Sequence, residues 1–313
     1  MSQFDIFSES IGIALYTSRR FIEVFSPAEN NVYLGTTSSR HLDVVPGDII
    51  SFEKSKNIEN TNVTIKSFAE RSNYLRRSYD KKTKSLAANS TELWIITAPP
   101  PLFNSVAIDR TLAAATSQNI PVKIVANKND LEGFSGFKEA LNPYKNLVED
   151  IVYTSATCRR GLDKLFDPNS NEKLRIITVT GISGVGKSSL IKALFPETNT
   201  KSGEVSERTG QGKQTTSAAK GYVVKFVPNQ EVAILIDLPG IQNFGITHLT
   251  TAEISQAMKD IHELSAGCRF RDCKHIKEPS CAVLAALESN TLSKQRYLSY
   301  LDMIKEIEHS KEY

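Results

Sequence analysis

The sequence predicts a multidomain protein: an N-terminal β-barrel, a central α/β domain on a mostly parallel sheet, and a C-terminal α-helical metal-binding domain. Three observations carry that prediction. Short β-branched and aromatic runs fill about the first 70 residues. Continuous apolar runs alternate with helical stretches from about residue 91 to 258. Cys268, Cys273, His275 and Cys281 then crowd one stretch of the remainder.

Of 313 residues, 40% are hydrophobic and 23% charged, which is core material for two or three domains. A net charge of +3 is too mild to demand nucleic acid, so such a partner must be read from local clusters. No run approaches the ~18 apolar residues of a membrane span. The opening MSQFDIFSES carries two acids and no basic region, which argues against a secretory signal. Four cysteines do not make a disulfide framework, and a reducing, cytoplasmic setting fits them.

The runs IGIALY, RFIEVFS, NVYLGTT, VVPGDIISFE and NVTIKSF are punctuated by PAENN, PGD and ENTN, which reads as five strands joined by turns. Their spacing fits a small barrel such as an OB-fold, and equally another small β-domain. Residues 66–87 hold seven basic residues against two acids and read as an exposed connector. They are also a candidate surface for RNA phosphate, with a solvated linker as the alternative.

In the central region the strand LRIITVT runs into GISGVGKS and then the helical KSSLIKALF. This is a phosphate-binding loop in its strand–loop–helix setting. The N–H groups from Gly181, Ile182, Ser183, Gly184, Val185 and Gly186, with Lys187, Ser188 and Ser189 opening the helix, would face phosphate oxygens. Lys187 would reach the β- and γ-phosphates and Ser188 would ligate Mg²⁺.

NKND, residues 127–130, follows the strand PVKIVA. A carboxylate at Asp130 can accept from guanine's N1–H and exocyclic amine, a donor pair that adenine lacks. Asn127 can brace the loop, and the Lys128 stem can lie along the base. A second strand, IVYT, ends in Thr154, Ser155 and Ala156, whose backbone resembles a guanine-contacting loop. A third, EVAILI, ends in DLPG, where Asp237 would reach Mg²⁺ and the Gly240 N–H would sense the γ-phosphate. Ordinary GTPases run phosphate loop, DxxG, NKxD. Here NKND comes first, so the domain reads as circularly permuted.

Between phosphate loop and DLPG lies the polar segment 201–221. Thr215 or Thr216 would supply a second hydroxyl to Mg²⁺, and spacing does not choose between them; Thr215 is taken as the candidate. The glutamine that orients water in Ras-like proteins is absent: Ile241 holds its position, followed by Gln242. Gln214 is the candidate replacement, with a solvated loop amide as the alternative. Three thiols and one imidazole at Cys268, Cys273, His275 and Cys281 suit one tetrahedral, structural Zn²⁺. The flanking Arg269, Arg271, Lys274 and Lys277 would suit RNA phosphate. Cys158 has no partner nearby and reads as a buried small residue.

Together these residues resemble the RsgA (YjeQ) family of circularly permuted GTPases, which act in late assembly of the small ribosomal subunit. RSNYLRR, KSLAANSTELWIITA, IDRTLAAA, SCAVLAALESN and QRYLSYLDMIKE extend the resemblance over nearly the whole chain. It implies an OB-fold domain (1–75), a permuted GTPase domain (76–258) and a zinc-binding helical domain (259–313). It also implies GTP hydrolysis stimulated by the small subunit, contact with its rRNA, and a monomer away from membranes. The rival reading is a non-catalytic, GTP-regulated rRNA-binding adaptor. A permuted GTPase of the large subunit fits the order of domains less well. One position departs from the family: Gln214 stands where a histidine usually precedes the threonines.

Overall fold

The computed structural model describes residues 5–37, 43–54, 62–79, 82–166, 174–195, 218–225, 232–240 and 244–310. The N-terminal strands alternate apolar and polar residues, and closing them on themselves buries one face of each. β1 (Ile11–Thr17), β2 (Ile22–Ser26), β3 (Asn31–Thr37), β4 (Ile49–Lys54) and β5 (Asn62–Phe68) form a closed barrel in the order β1-β2-β3-β5-β4. The barrel closes through antiparallel β1–β4 pairing, while β3 and β5 run parallel. This is the OB arrangement. Ile22, Val24, Tyr33, Ile50, Phe52 and Ile65 fill its centre.

The stretch read as an exposed connector, 66–87, forms strands over much of its described length instead. β5 continues to Phe68, and β6 (Tyr74–Tyr79) pairs antiparallel with β7 (Lys82–Ala88). Leu75, Leu86 and Ala87 of this hairpin are buried, and the Arg76 guanidinium lies 3.8 Å from the Tyr74 ring centroid. Charge density concealed a strand pair whose inward positions are few but apolar.

The central sheet has the order β10-β9-β8-β11-β13-β12. Its members are β8 (Glu92–Thr97), β9 (Val122–Ala126), β10 (Asp150–Tyr153), β11 (Leu174–Thr180), β12 (Lys220–Lys225) and β13 (Val232–Asp237). All neighbours pair in parallel except β12 with β13. Alternate residues serve two cores: Ile95, Ile124, Ile176 and Ile234 face one, and Trp94, Ile96, Val125, Ile177 and Leu235 the other. Burial on both faces explains the continuous apolar runs. Helices α1 (Ser105–Thr116), α2 (Phe134–Ala140) and α3 (Lys187–Leu194) belong to this layer.

The C-terminal helices are α4 (Thr251–Ala257), α5 (Lys259–Ser265), α6 (Ala282–Glu288) and α7 (Lys294–Ser310). Thr250 and Glu253 form a reciprocal capping box at the start of α4. These helices share the core that α1 lines: Met258, Ile261, Val283, Met303 and Ile307 are buried with Leu112 and Ala113. The tail is therefore docked on the α/β layer.

Candidate nucleotide site and metal centre

Strands β9, β10, β11 and β13 end on one edge of the sheet, and a motif follows each end. Parallel strands with crossovers place such loops side by side at the carboxyl edge. β12 runs the other way, and its first residue, Lys220, pairs with Asp237. The chain from the candidate switch segment therefore rejoins the sheet beside the DLPG acid. Gln214, Thr215, Thr216, Ile241 and Gln242 lie outside the described residues.

The phosphate loop leaves β11 at Gly181 and enters α3 at Lys187. Gly186 takes φ +93° as the residue preceding α3, and a Cβ there would come within 2.5 Å of Asn127 Nδ2. Glycine is required at that point by both conformation and contact. Val185 is buried, whereas Ser183, Gly184, Ser188 and Ser189 are exposed along the rim with Ile182 half-buried.

Asn127 is 1% exposed. Its Nδ2 donates to the Val185 carbonyl at 2.9 Å, and its Oδ1 accepts from Thr154 Oγ1 and Ala156 N, both at 3.2 Å. One side chain thus joins three of the four loops. Lys128 takes φ +66°, which brings its Cε to 3.8 Å from a Cβ built on Gly186. Asp130 is exposed, free to meet a base edge. Ser155 is fully buried, exchanges both main-chain bonds with Arg160, and accepts from Cys158 N at 3.0 Å. Cys158 itself is exposed, against the expectation of a buried residue: it sits in a turn closed by Ser155.

Lys187 Nζ donates to Asp237 Oδ1 and, at 2.7 Å, to the Leu238 carbonyl. Burial raises the Asp237 carboxyl above its ordinary range, and the Lys187 charge opposes that rise. A Cβ built on Gly240 would lie 3.5 Å from Ser183 N, so DLPG abuts the phosphate loop.

In the tail, the ligand atoms of Cys268, Cys273, His275 and Cys281 all lie within 4.8 Å of one another. This set can hold a metal ion. Cys281 also precedes α6, accepting from Leu284 N at 3.5 Å. His275 adopts φ +59°. Two residues that carry no ligand atom hold it there. Tyr297 OH donates to the His275 carbonyl at 2.7 Å. The Glu278 carboxylate accepts from the N–H groups of Ile276 (2.8 Å), Lys277 (3.0 Å) and Lys274 (3.0 Å). Those bonds hold its pKa down to about 2. Neither residue was marked by the sequence reading. An acid lying between two cysteine ligands was the signal for Glu278.

A P-loop α/β sheet with its guanine-reading loop earlier in the chain than its phosphate loop defines a circularly permuted GTPase. Residues 68–247 match the family model described as RsgA GTPase. The "Small ribosomal subunit biogenesis GTPase RsgA 1" of Vibrio vulnificus (strain YJ016) is 33% identical over 273 residues, 86% of this chain and 75% of the relative. The corresponding protein of Pseudomonas fluorescens (strain SBW25) is 36% identical over 77% of this chain and 69% of its own. YjeQ of Thermotoga maritima superposes with a TM-score of 0.70 at 25% identity, covering 95% of this chain and 98% of its own. The permuted GTPase YloQ gives 0.66 at 20% identity, covering 96% and 95%. The chain belongs to the RsgA GTPase family. Among the described residues, no helix is long and apolar enough to cross a membrane.

Proposed function

We propose that this chain hydrolyses GTP to GDP and phosphate in late maturation of the small ribosomal subunit, and that the subunit stimulates turnover. The observation that carries the reading is the Asn127–Val185 hydrogen bond, which joins a guanine-reading loop to a phosphate loop. In this reading Asp130 accepts from the guanine edge, while main-chain groups of Ser155 and Ala156 close over the base. N–H groups from Gly181 to Ser189 cradle the phosphates, and Lys187 exchanges Asp237 and the Leu238 carbonyl for phosphate oxygens. Ser188, Asp237 and Thr215 would hold Mg²⁺, which when bound supplies charge neutralisation on the phosphates. The Gly240 N–H senses the γ-phosphate, and Gln214 orients the attacking water. Unlike histidine, Gln214 does not titrate near neutrality, so turnover is expected to vary little between pH about 6 and 8. Gln214→Ala is expected to lose most of it.

The tail metal is proposed to be one structural zinc. A tetrahedral ion at about 2.3 Å from sulfur and 2.0–2.1 Å from nitrogen would set S···S at about 3.8 Å and S···N at about 3.6 Å. Cys268 and Cys281 Sγ are 3.8 Å apart, and His275 Nδ1 lies 3.6 and 3.4 Å from them. Four protein ligands leave no open position for catalysis. The partners proposed are the small subunit and its rRNA, met by a cytoplasmic monomer. Phosphate release with and without small subunits, alongside co-sedimentation with small and large subunits under GDP and a GTP analogue, tests the reading. Binding without turnover would leave the adaptor reading standing.

A further inference from the structure

Asp109 and Arg110 are consecutive on α1, and both are buried, at 0% and 7% exposure. Among the described residues, neither forms a hydrogen bond or ion pair with the nucleotide loops. Arg296 Nη1 of α7 donates to Asp109 at 2.7 Å. Arg110 forks: Nη2 pairs with the Glu306 carboxylate of α7, and Nη1 donates to the Phe244 carbonyl at 3.4 Å. Phe244 is fully buried and stands four positions after Gly240, the residue that abuts the phosphate loop. From the other side, Ser78 N donates to the Gly245 carbonyl and His248 N donates to Ser78 Oγ, each at 2.9 Å. The chain beyond DLPG is therefore gripped at 244–248, and Arg110 ties that grip to α1. A guanidinium has the fork geometry for two such acceptors; an ammonium is a single point charge.

We propose that Arg110 is a positioning residue for GTP hydrolysis. It fixes the main chain at Phe244 against α1, and with it the presentation of Gly240, four positions earlier, to the γ-phosphate. The proposal rests on the GTPase reading above.

The test uses the full chain, with steady-state GTP hydrolysis measured with and without small subunits beside equilibrium GDP and GTP-analogue binding. Arg110→Lys keeps a charge for Glu306 but loses the fork. It is expected to lower kcat about tenfold, the order expected of a small displacement of a reacting group, while nucleotide Kd, zinc content and melting stay within twofold or unchanged. Arg110→Gln, the second variant should the lysine form fail to fold, is expected to lose at least as much. Glu306→Gln removes the ion pair and spares the Phe244 bond, so its kcat is expected within twofold of wild type. Arg110→Lys with wild-type kcat overturns the proposal. So does Glu306→Gln losing kcat as much as Arg110→Lys, because Arg110 would then only dock the helix. A wild-type chain without turnover in either condition overturns the GTPase reading itself, and this proposal with it.

Discussion

Asn127 Nδ2 donates to the Val185 carbonyl at 2.9 Å, inside the phosphate loop, while Asn127 Oδ1 takes donors from Thr154 and Ala156. In the proposed site, recognition of the base and of the phosphates would thus rest on one buried amide. Removing it strands a carbonyl and two donors, at about 1–3 kcal/mol for each group left buried and unpaired. Asn127→Ala is therefore expected to weaken GDP and GTP binding alike, by about 150-fold or more, the lower end for three such groups. Titration with fluorescent nucleotides checks this. A loss confined to GTP would contradict the bracing role.

Barrel and sheet meet at Gly47. It takes φ +92°, and a Cβ there would collide with the Ala88 carbonyl oxygen and sit 3.1 Å from Ile236 Cδ1. Ala88 N donates to the Pro46 carbonyl at 2.9 Å, so the seat is a main-chain one with little room to shift. Gly47→Ala is expected to cost about 1–3 kcal/mol of stability from backbone strain, more if the seam parts. A lower denaturant midpoint, with nucleotide affinity retained under native conditions, is the expected result.

The metal cluster holds the start of α6 through Cys281 and the carbonyl of His275 through Tyr297. Metal binding in such a site is folding free energy. Chelation, or Cys281→Ser, is expected to release the metal proposed there and open residues 259–313 to proteolysis while residues 82–166 stay protected. Metal analysis with limited digestion reads both. A metal-free chain with an intact digestion pattern would rule out the structural role.

The strand-end motifs GISGVGKS, NKND and DLPG stand out in the sequence because each is local, a few residues after an apolar strand. The metal ligands fall within one short loop. The β6–β7 hairpin was not legible, because its inward positions are outnumbered by lysine and arginine, and Leu75 becomes a core residue only once β7 pairs with it. Asp109 and Arg296 were hidden more deeply. They are 187 positions apart, and in a helix each reads as a surface charge until its partner arrives. The IDRTLAAA resemblance marked the stretch without revealing why two charges sit in a buried helix. Gly47 was read only as a turn glycine in VVPGDII, since nothing local announces that Ala88 lies across it.

The Asp109–Arg296 pair should also show in the pH dependence of stability. Asp109 is fully buried, and Arg296, 1% exposed, bridges it at 2.7 Å to Asp260, also at 2.7 Å. Burial raises the Asp109 carboxyl and the Arg296 charge pulls it back down, leaving it above its ordinary value. Arg296→Met removes that restraint, so the carboxyl rises further. A folded-state pKa above the unfolded one means the folded chain holds its proton more tightly. Stability from that group is fully present below the unfolded pKa and is lost as pH rises through the folded pKa. At pH 7 the variant must bury a charge without its partner, at about 3–5 kcal/mol. On acidification Asp109 takes up a proton and the penalty shrinks. The gap in melting temperature between wild type and Arg296→Met is therefore expected to be widest near pH 8 and to narrow steadily towards pH 5. A gap that stays constant or widens on acidification would mean Arg296 acts by packing, not as the counter-charge to Asp109.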